Sequence, residues 1–183
     1  SQYLVPGGPM RKDSTPNGKP AGSDPEVVAR QLLVESEVDL AVLLPSGTVT
    51  YSPDPEMFAQ IVRAANSWMT STWLGKHNAA GRYKGSIRIS TDDPHAAIRE
   101  IEHWAGHPHV AQIQVTQHAR DLYGSPIYHP IWEAAARHRL PVAMHINIAG
   151  APVLSTPIGF FRYYLSYHSV AHVMAYVGHL ISL

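Results

Sequence analysis

The chain has 183 residues, of which 45% are hydrophobic and 15% charged, a composition typical of one globular domain and not of a disordered segment. Lys plus Arg equals Asp plus Glu at 14 each, so the charge balance argues against nucleic acid or an anionic membrane as a partner. Cysteine is absent, which excludes disulfides and thiolate metal sites, whereas 12 histidines leave imidazole and carboxylate as metal ligands, a set that suits Zn, Mn or Fe.

Along the chain, residues 1–23 hold four prolines and four glycines with little apolar pattern and predict a loop. Three later segments then open with Asp-Pro, at Asp24, Asp54 and Asp93. Aspartate at the N-cap followed by proline is a typical helix start. With the apolar periodicity this predicts helices over 24–37, 54–73, 93–105, 130–139 and 161–183, and short apolar runs predict strands over 39–44, 85–90, 110–116 and 141–147.

The alternation of helices and strands predicts a parallel sheet. In the last three strands apolar residues alternate with polar ones, so one face of the sheet is polar. A doubly wound sheet is covered by helices on both faces and should be apolar on both. We therefore predict an α/β fold in which residues 24–183 form an incomplete (β/α)8 TIM barrel. An antiparallel sheet with one wet face is the alternative, and the intervening helices disfavour it.

The polar face offers the candidate site residues. His145 lies near the C-terminal end of its strand, where barrel enzymes place catalytic groups, and could bind a metal or be a core histidine with a polar neighbour. Arg88, Gln114 and Asn147 should project to the same side and are candidate substrate-binding residues. Arg88 could bind a substrate carboxylate through two parallel hydrogen bonds or pair with a buried acid.

Other histidines fit a metal site less well. His107 and His109 precede the strand 110–116, at the end opposite the candidate site, which indicates a surface turn. His168 and His172 are spaced i, i+4, but Ser169 stands where a zinc protease motif needs glutamate. Together with His179 they lie on one side of an apolar helix, so packing is the better interpretation.

Three stretches, 82–105, 125–152 and 163–183, resemble the amidohydrolase-related family that includes aminocarboxymuconate semialdehyde decarboxylase and the resorcylate decarboxylases. The most specific parts are YHPIWEAA and the LPVAMHI strand. The segment AANSW (64–68) is similar to that family's A-x-N-D-W helix, with Ser67 in place of Asp. The likeness covers the chain from about residue 24 to residue 183.

The resemblance implies a (β/α)8 barrel with one divalent metal. Its ligands are a His-x-His or Glu-x-His motif on the first strand, a His on the fifth, sometimes a His on the sixth, and an Asp on the eighth. The four predicted strands match roughly strands 2 to 5, so His145 matches the fifth-strand metal ligand. The resemblance places the other ligands outside this sequence, and His118 is the one further histidine expected close by. The loop 148–161 should lie over the same face.

The function implied is that of a fragment of a metal-dependent hydrolase or non-oxidative decarboxylase acting on a small carboxylated, cyclic substrate. The chain alone is then expected to be inactive and to bind metal weakly, because one imidazole leaves most of the coordination to water. A non-catalytic partial barrel that only packs or binds a partner is the alternative. Open strand edges favour a homo-oligomer. No apolar run reaches the ~18 residues of a membrane span and the N-terminus resembles no signal peptide, so a cytoplasmic protein is expected.

Overall fold

The computed structural model of the chain describes residues 4–5, 8–9, 18–45, 54–116, 119–145, 173–174 and 176–183. The strands are β1 (Leu4–Val5), β2 (Gly8–Pro9), β3 (Ala41–Leu43), β4 (Tyr83–Arg88), β5 (Val110–Thr116) and β6 (Val142–His145). The helices are α1 (Pro25–Val28), α2 (Pro55–Trp68), α3 (Pro94–Trp104) and α4 (His129–Arg137). A π-helix continues α1 over Ala29–Glu35 and α2 over Met69–Lys76, and a 3-10 turn, Pro126–Tyr128, precedes α4.

The three Asp-Pro segments begin helices as predicted. The carboxylates of Asp24, Asp54 and Asp93 each accept a backbone N–H two or three residues further on, at distances from 2.9 to 3.4 Å. The proline that follows each aspartate has no N–H to leave unpaired in the first turn. These contacts explain why α1, α2 and α3 begin where they do.

Strands β3 to β6 form one sheet in the order β3-β4-β5-β6, and every neighbouring pair is parallel. The predicted parallel sheet is confirmed. Strand β5 has the predicted bounds, whereas β3 is confined to three residues and ends at Leu43. Within the segment predicted as a loop, β1 and β2 form a short antiparallel pair.

The apolar face of the sheet packs against the helices. Ile113 and Ile89 lie in one cluster with Ile101 of α3 and Ile131 of α4, and all four are at most 4% exposed. A second cluster lies over β4 and β3 and consists of Ala41, Met69, Trp73, Leu74, Tyr83 and Ile87. Burial of these side chains, at about 25 cal/mol for each Å² of apolar surface, holds the helices on one side and leaves the other side of the sheet to polar residues.

The helical residues 176–182 pack on the loop between β5 and α4. The Ser182 hydroxyl accepts a hydrogen bond from the Gly124 N–H at 2.9 Å. The His179 ring lies 4.4 Å from the Tyr123 ring, centroid to centroid, and the residue is 5% exposed. The packing interpretation is confirmed for His179, while His168 and His172 lie outside the described residues. None of the helices in the described ranges is long and apolar enough to cross a membrane.

Candidate functional site

Strand register places the candidate residues on one face of the sheet. Arg88 is opposite Gln114, and Thr116, two residues beyond Gln114, is opposite His145. Because side chains alternate along a strand, Arg88, Gln114 and His145 project to the side opposite Ile113. The predicted phase of the strands is therefore correct. Asn147 and the loop 148–161, which were expected to complete this face, lie outside the described residues.

Arg88 is buried at the C-terminal end of β4. It is 4% exposed, and its guanidinium carbon lies 5.3 Å from the centroid of the Phe58 ring of α2. Burial lowers the pKa of Arg88 because desolvation disfavours the cation. A guanidinium remains charged in proteins nonetheless, so this face carries a positive charge in a poorly solvated setting.

Gln114 lies beside Arg88 and is 5% exposed. Within the described part of the chain its Oε1 accepts no hydrogen bond. A buried amide oxygen without a donor costs about 1–3 kcal/mol, and a ligand hydroxyl or N–H would remove that cost. Arg88 and Gln114 together therefore present on one face a cation and an acceptor that no described residue uses.

His145 ends β6 on the same face and is partly buried. Its imidazole is a suitable donor for Zn, Mn or Fe. Across residues 18–45, 54–116, 119–145 and 176–183, no group of three His, Asp or Glu side chains could hold a metal ion. The described residues thus supply one chemically suitable ligand and not a complete metal site. His118, the other histidine expected nearby, is outside the described ranges.

His107 and His109 lie before β5, at the end of the sheet opposite His145, as predicted. Their ring centroids are 6.0 Å apart, and the Lys84 ammonium lies 3.2 Å from Nδ1 of His109. Burial, and secondarily the neighbouring His109, lowers the pKa of His107. This pair belongs to a turn and has no part in the candidate site.

Two further residues around Arg88 are not identified by the sequence reasoning. Phe58 stacks on the guanidinium, and the Asn66 side chain hydrogen-bonds the Arg88 backbone. The signal for Asn66 was present, since an asparagine lies among the apolar positions of the AANSW segment. Phe58 carried no signal that separates it from an ordinary core residue.

Asp92 follows β4, and its Oδ1 is buried without a hydrogen bond within the described residues. Burial raises the pKa of Asp92, and the Arg120 guanidinium partly opposes the shift. A folded-state pKa above the unfolded value of about 3.9 means that the protonated side chain is favoured in the fold. Protonated Asp92 therefore contributes its full stabilisation below about pH 3.9, the unfolded pKa, and this stabilisation is lost as the pH rises through the folded pKa.

We expect Asp92→Asn to stabilise the protein at pH 7, because the amide removes a poorly solvated charge. The gain should be below about 1 kcal/mol, since the side chain is only partly buried and solvent screens it. Urea unfolding between pH 3.5 and pH 8 measures it, and the difference from wild type should vanish at the acid end. Asp39→Asn, at an exposed aspartate, is the control and should change little. A variant less stable than wild type at pH 7 would contradict the assignment.

A cavity of about 330 Å³ lies between α2 and α3. Its lining includes Arg63, Ser90, Arg99 and Glu100, but neither Gln114 nor His145. The cavity is thus in the helix layer and separate from the candidate site. The polar face at the C-terminal ends of β4 to β6 is the better site, because the candidate residues of three strands converge there.

Known proteins resemble this chain in family and in fold. A family model described as amidohydrolase matches residues 4–175. Among curated proteins none matches the chain. The solved structures that share its fold include two 5-carboxyvanillate decarboxylases. One is LigW2 from Novosphingobium aromaticivorans, recorded with bound manganese and 3-methoxy-4-hydroxy-5-nitrobenzoic acid, and the other is LigW from Sphingomonas paucimobilis.

The likeness to these structures is one of fold. LigW2 is 22% identical with a TM-score of 0.51, over 58% of this chain and 30% of that one. LigW is 20% identical with a TM-score of 0.56, over 88% of this chain and 49% of that one. The chain therefore spans less than half the length of either structure. The prediction of an incomplete (β/α)8 barrel is confirmed.

Proposed function

Because the chain belongs to the amidohydrolase family, we propose that it carries part of the substrate site of a metal-dependent decarboxylase acting on a small cyclic carboxylic acid. The observation that carries the proposal is the pair formed on the polar face by the buried Arg88 cation and the Gln114 oxygen, which accepts no hydrogen bond from the described residues. The shared fold with two decarboxylases supports it. Hydrolysis at the same site is the alternative left open by the sequence.

Arg88 binds the substrate carboxylate in this proposal. A planar guanidinium offers two parallel N–H donors that match the two oxygens of a carboxylate. Attraction between the two charges is stronger where water is excluded, and Arg88 is 4% exposed. The Phe58 ring, 5.3 Å from the guanidinium carbon, restricts the side chain and so reduces the entropy lost on binding.

Gln114 binds a second polar group of the substrate. Its Oε1 can accept a hydrogen bond from a ring hydroxyl, and Arg88 and Gln114 are opposite each other in the β4–β5 register. Two polar contacts side by side fix the orientation of a flat ring. In the decarboxylation itself, the bond between the ring and the carboxyl carbon breaks, its electron pair takes up a proton on the ring carbon, and CO2 leaves.

His145 is the proposed metal ligand on this face. A divalent ion such as Mn, Zn or Fe, held there with ligands from elsewhere in the protein, would supply Lewis-acid polarisation of a substrate oxygen. Arg88 and Gln114 then orient the substrate on the polar face. The packed helices keep water from the apolar face of the sheet.

The test is turnover of 5-carboxyvanillate by the full-length protein. We expect release of CO2 to fall at least about a hundredfold after treatment with a chelator and to return on addition of Mn²⁺, because the proposed chemistry needs the ion. Chelated protein given Mg²⁺ is the control, since Mg²⁺ prefers oxygen ligands and a rigid octahedral site. Turnover that survives chelation contradicts metal dependence. Hydrolysis of cyclic amides or esters without decarboxylation would select the alternative reaction.

A further inference from the structure

We infer that Asn66 is a positioning residue that fixes the Arg88 backbone and thereby aims its side chain at the substrate carboxylate. The inference rests on the role proposed above for Arg88. Asn66 lies on α2 and is fully buried, at 0% exposure. It reaches across to the C-terminal end of β4, 22 residues further along the chain.

The backbone of Arg88 needs a partner because β3 is short. The register of β3 with β4 ends at the pair Leu43 and Gly85. On the other side of β4, the Ile89 N–H donates to the Gln114 carbonyl of β5. In a parallel ladder both polar groups of a residue point to the same neighbour and alternate from one residue to the next. The N–H and C=O of Arg88 therefore point to the β3 side, beyond the described end of that strand.

Asn66 supplies these partners beyond Leu43, where β3 ends. Its Nδ2 donates to the Arg88 carbonyl at 2.8 Å, and its Oδ1 accepts from the Arg88 N–H at 3.0 Å. A primary amide carries one acceptor and two donors and so reproduces the pairing of a peptide group. The result is a closed, buried pair of hydrogen bonds at the one residue of β4 whose side chain is the proposed carboxylate ligand.

The orientation of the amide is itself fixed by α3. Nδ2 of Asn66 also donates to Oε1 of Glu100 at 2.8 Å, and the Trp104 indole N–H donates to the same oxygen at 2.6 Å. A carboxylate oxygen only accepts, so the nitrogen of the Asn66 amide must face Glu100. Three elements, α2, α3 and β4, are thus joined at Arg88.

The same helix also holds the other end of the Arg88 side chain. Phe58, about two turns before Asn66 on α2, stacks on the guanidinium at 5.3 Å. Backbone and guanidinium are therefore both held by α2. A shift of the Arg88 Cα relative to this helix would move the guanidinium away from the stacked geometry.

Asn78 offers a matched control at the opposite end of β4. Its Nδ2 donates to the Tyr83 carbonyl at 3.0 Å, and its Oδ1 accepts from the Tyr83 N–H at 2.9 Å. Asn78 is 7% exposed, so it forms the same kind of pair in a similar environment. Removing Asn78 takes the same pair of backbone hydrogen bonds from β4, but at the end of the strand far from the candidate site.

The experiment compares Asn66→Ala and Asn78→Ala in the full-length protein loaded with Mn²⁺. The readout is the dissociation constant of 3-methoxy-4-hydroxy-5-nitrobenzoic acid, with urea unfolding measured in parallel. Both variants should lose stability, Asn66→Ala more because it also removes the hydrogen bond to Glu100, but only Asn66→Ala should weaken binding, by about three- to tenfold. In an Arg88→Ala background, Asn66→Ala should have no further effect, because two residues that act through one contact are not additive. Asn66→Ser, which keeps a buried hydroxyl, provides a milder variant if the alanine fails to fold.

The outcomes separate this inference from the proposed function. If Arg88→Ala leaves the dissociation constant unchanged, the proposed role of Arg88 fails. If Arg88→Ala weakens binding by at least about tenfold but Asn66→Ala and Asn66→Ser behave like Asn78→Ala, the positioning role is wrong and the proposed function stands. Equal effects of Asn66→Ala with and without Arg88 would also overturn the positioning role.

Discussion

A His145→Ala variant of the full-length protein should lose most of its bound metal and at least about a hundredfold of its turnover. Loss of a residue that only supports a metal ligand typically costs about 10–100-fold in metal affinity or activity, and loss of the ligand itself should cost at least as much. His145 is partly buried at the end of β6, on the face shared with Arg88 and Gln114. Elemental analysis after dialysis gives the metal content, and CO2 release gives the turnover.

His95→Ala is the control for this variant, because His95 is an exposed histidine in the first turn of α3. It should keep its metal and its turnover. Wild-type metal content in His145→Ala would remove this residue from the metal site. Retained metal with lost turnover would instead give His145 a role in substrate binding or proton transfer.

Replacement of Ile113 by alanine should destabilise the protein by about 2–5 kcal/mol. Ile113 is fully buried at 0% exposure, in the cluster that Ile89 forms with residues of β5, α3 and α4. The cost combines the lost burial of the side chain with the cavity that a packed core cannot close. Equilibrium unfolding in urea measures it.

The same substitution at Ile127 is the control. Ile127 lies in the 3-10 turn before α4 and is 47% exposed, so Ile127→Ala should cost less than about 1 kcal/mol. Equal losses at the two positions would mean that Ile113 does not lie in the core and that the assignment of the two faces of β5 is wrong.

The parts of the fold that sequence reasoning predicted are those encoded by local patterns. The bounds of β5 match because its apolar and polar residues alternate without interruption from Val110 to Thr116. The helix starts match because an aspartate cap and a following proline act within one turn. The end of β3 is different, since it depends on which partner lies beside Leu43.

For the candidate site, the sequence predicted which residues share one face of the sheet but not the contacts that they make. Alternation placed Arg88, Gln114 and His145 on one side, and the register of the strands then brought them together. The contacts of Arg88 with Phe58 and Asn66 join residues distant along the chain, and no local pattern encodes them. Further ligands for the proposed metal are likewise beyond local reasoning, because ligands that converge on one ion come from separate strands.

The most direct test of the account is the position of the metal in the full-length protein. Crystals loaded with Mn²⁺ and measured at the manganese absorption edge give an anomalous signal that locates the ion without assumptions about its ligands. We expect one peak at about 2.0–2.3 Å from an imidazole nitrogen of His145, on the face that carries Arg88 and Gln114. Manganese bound elsewhere in the protein, with no peak within about 5 Å of His145, would contradict the account.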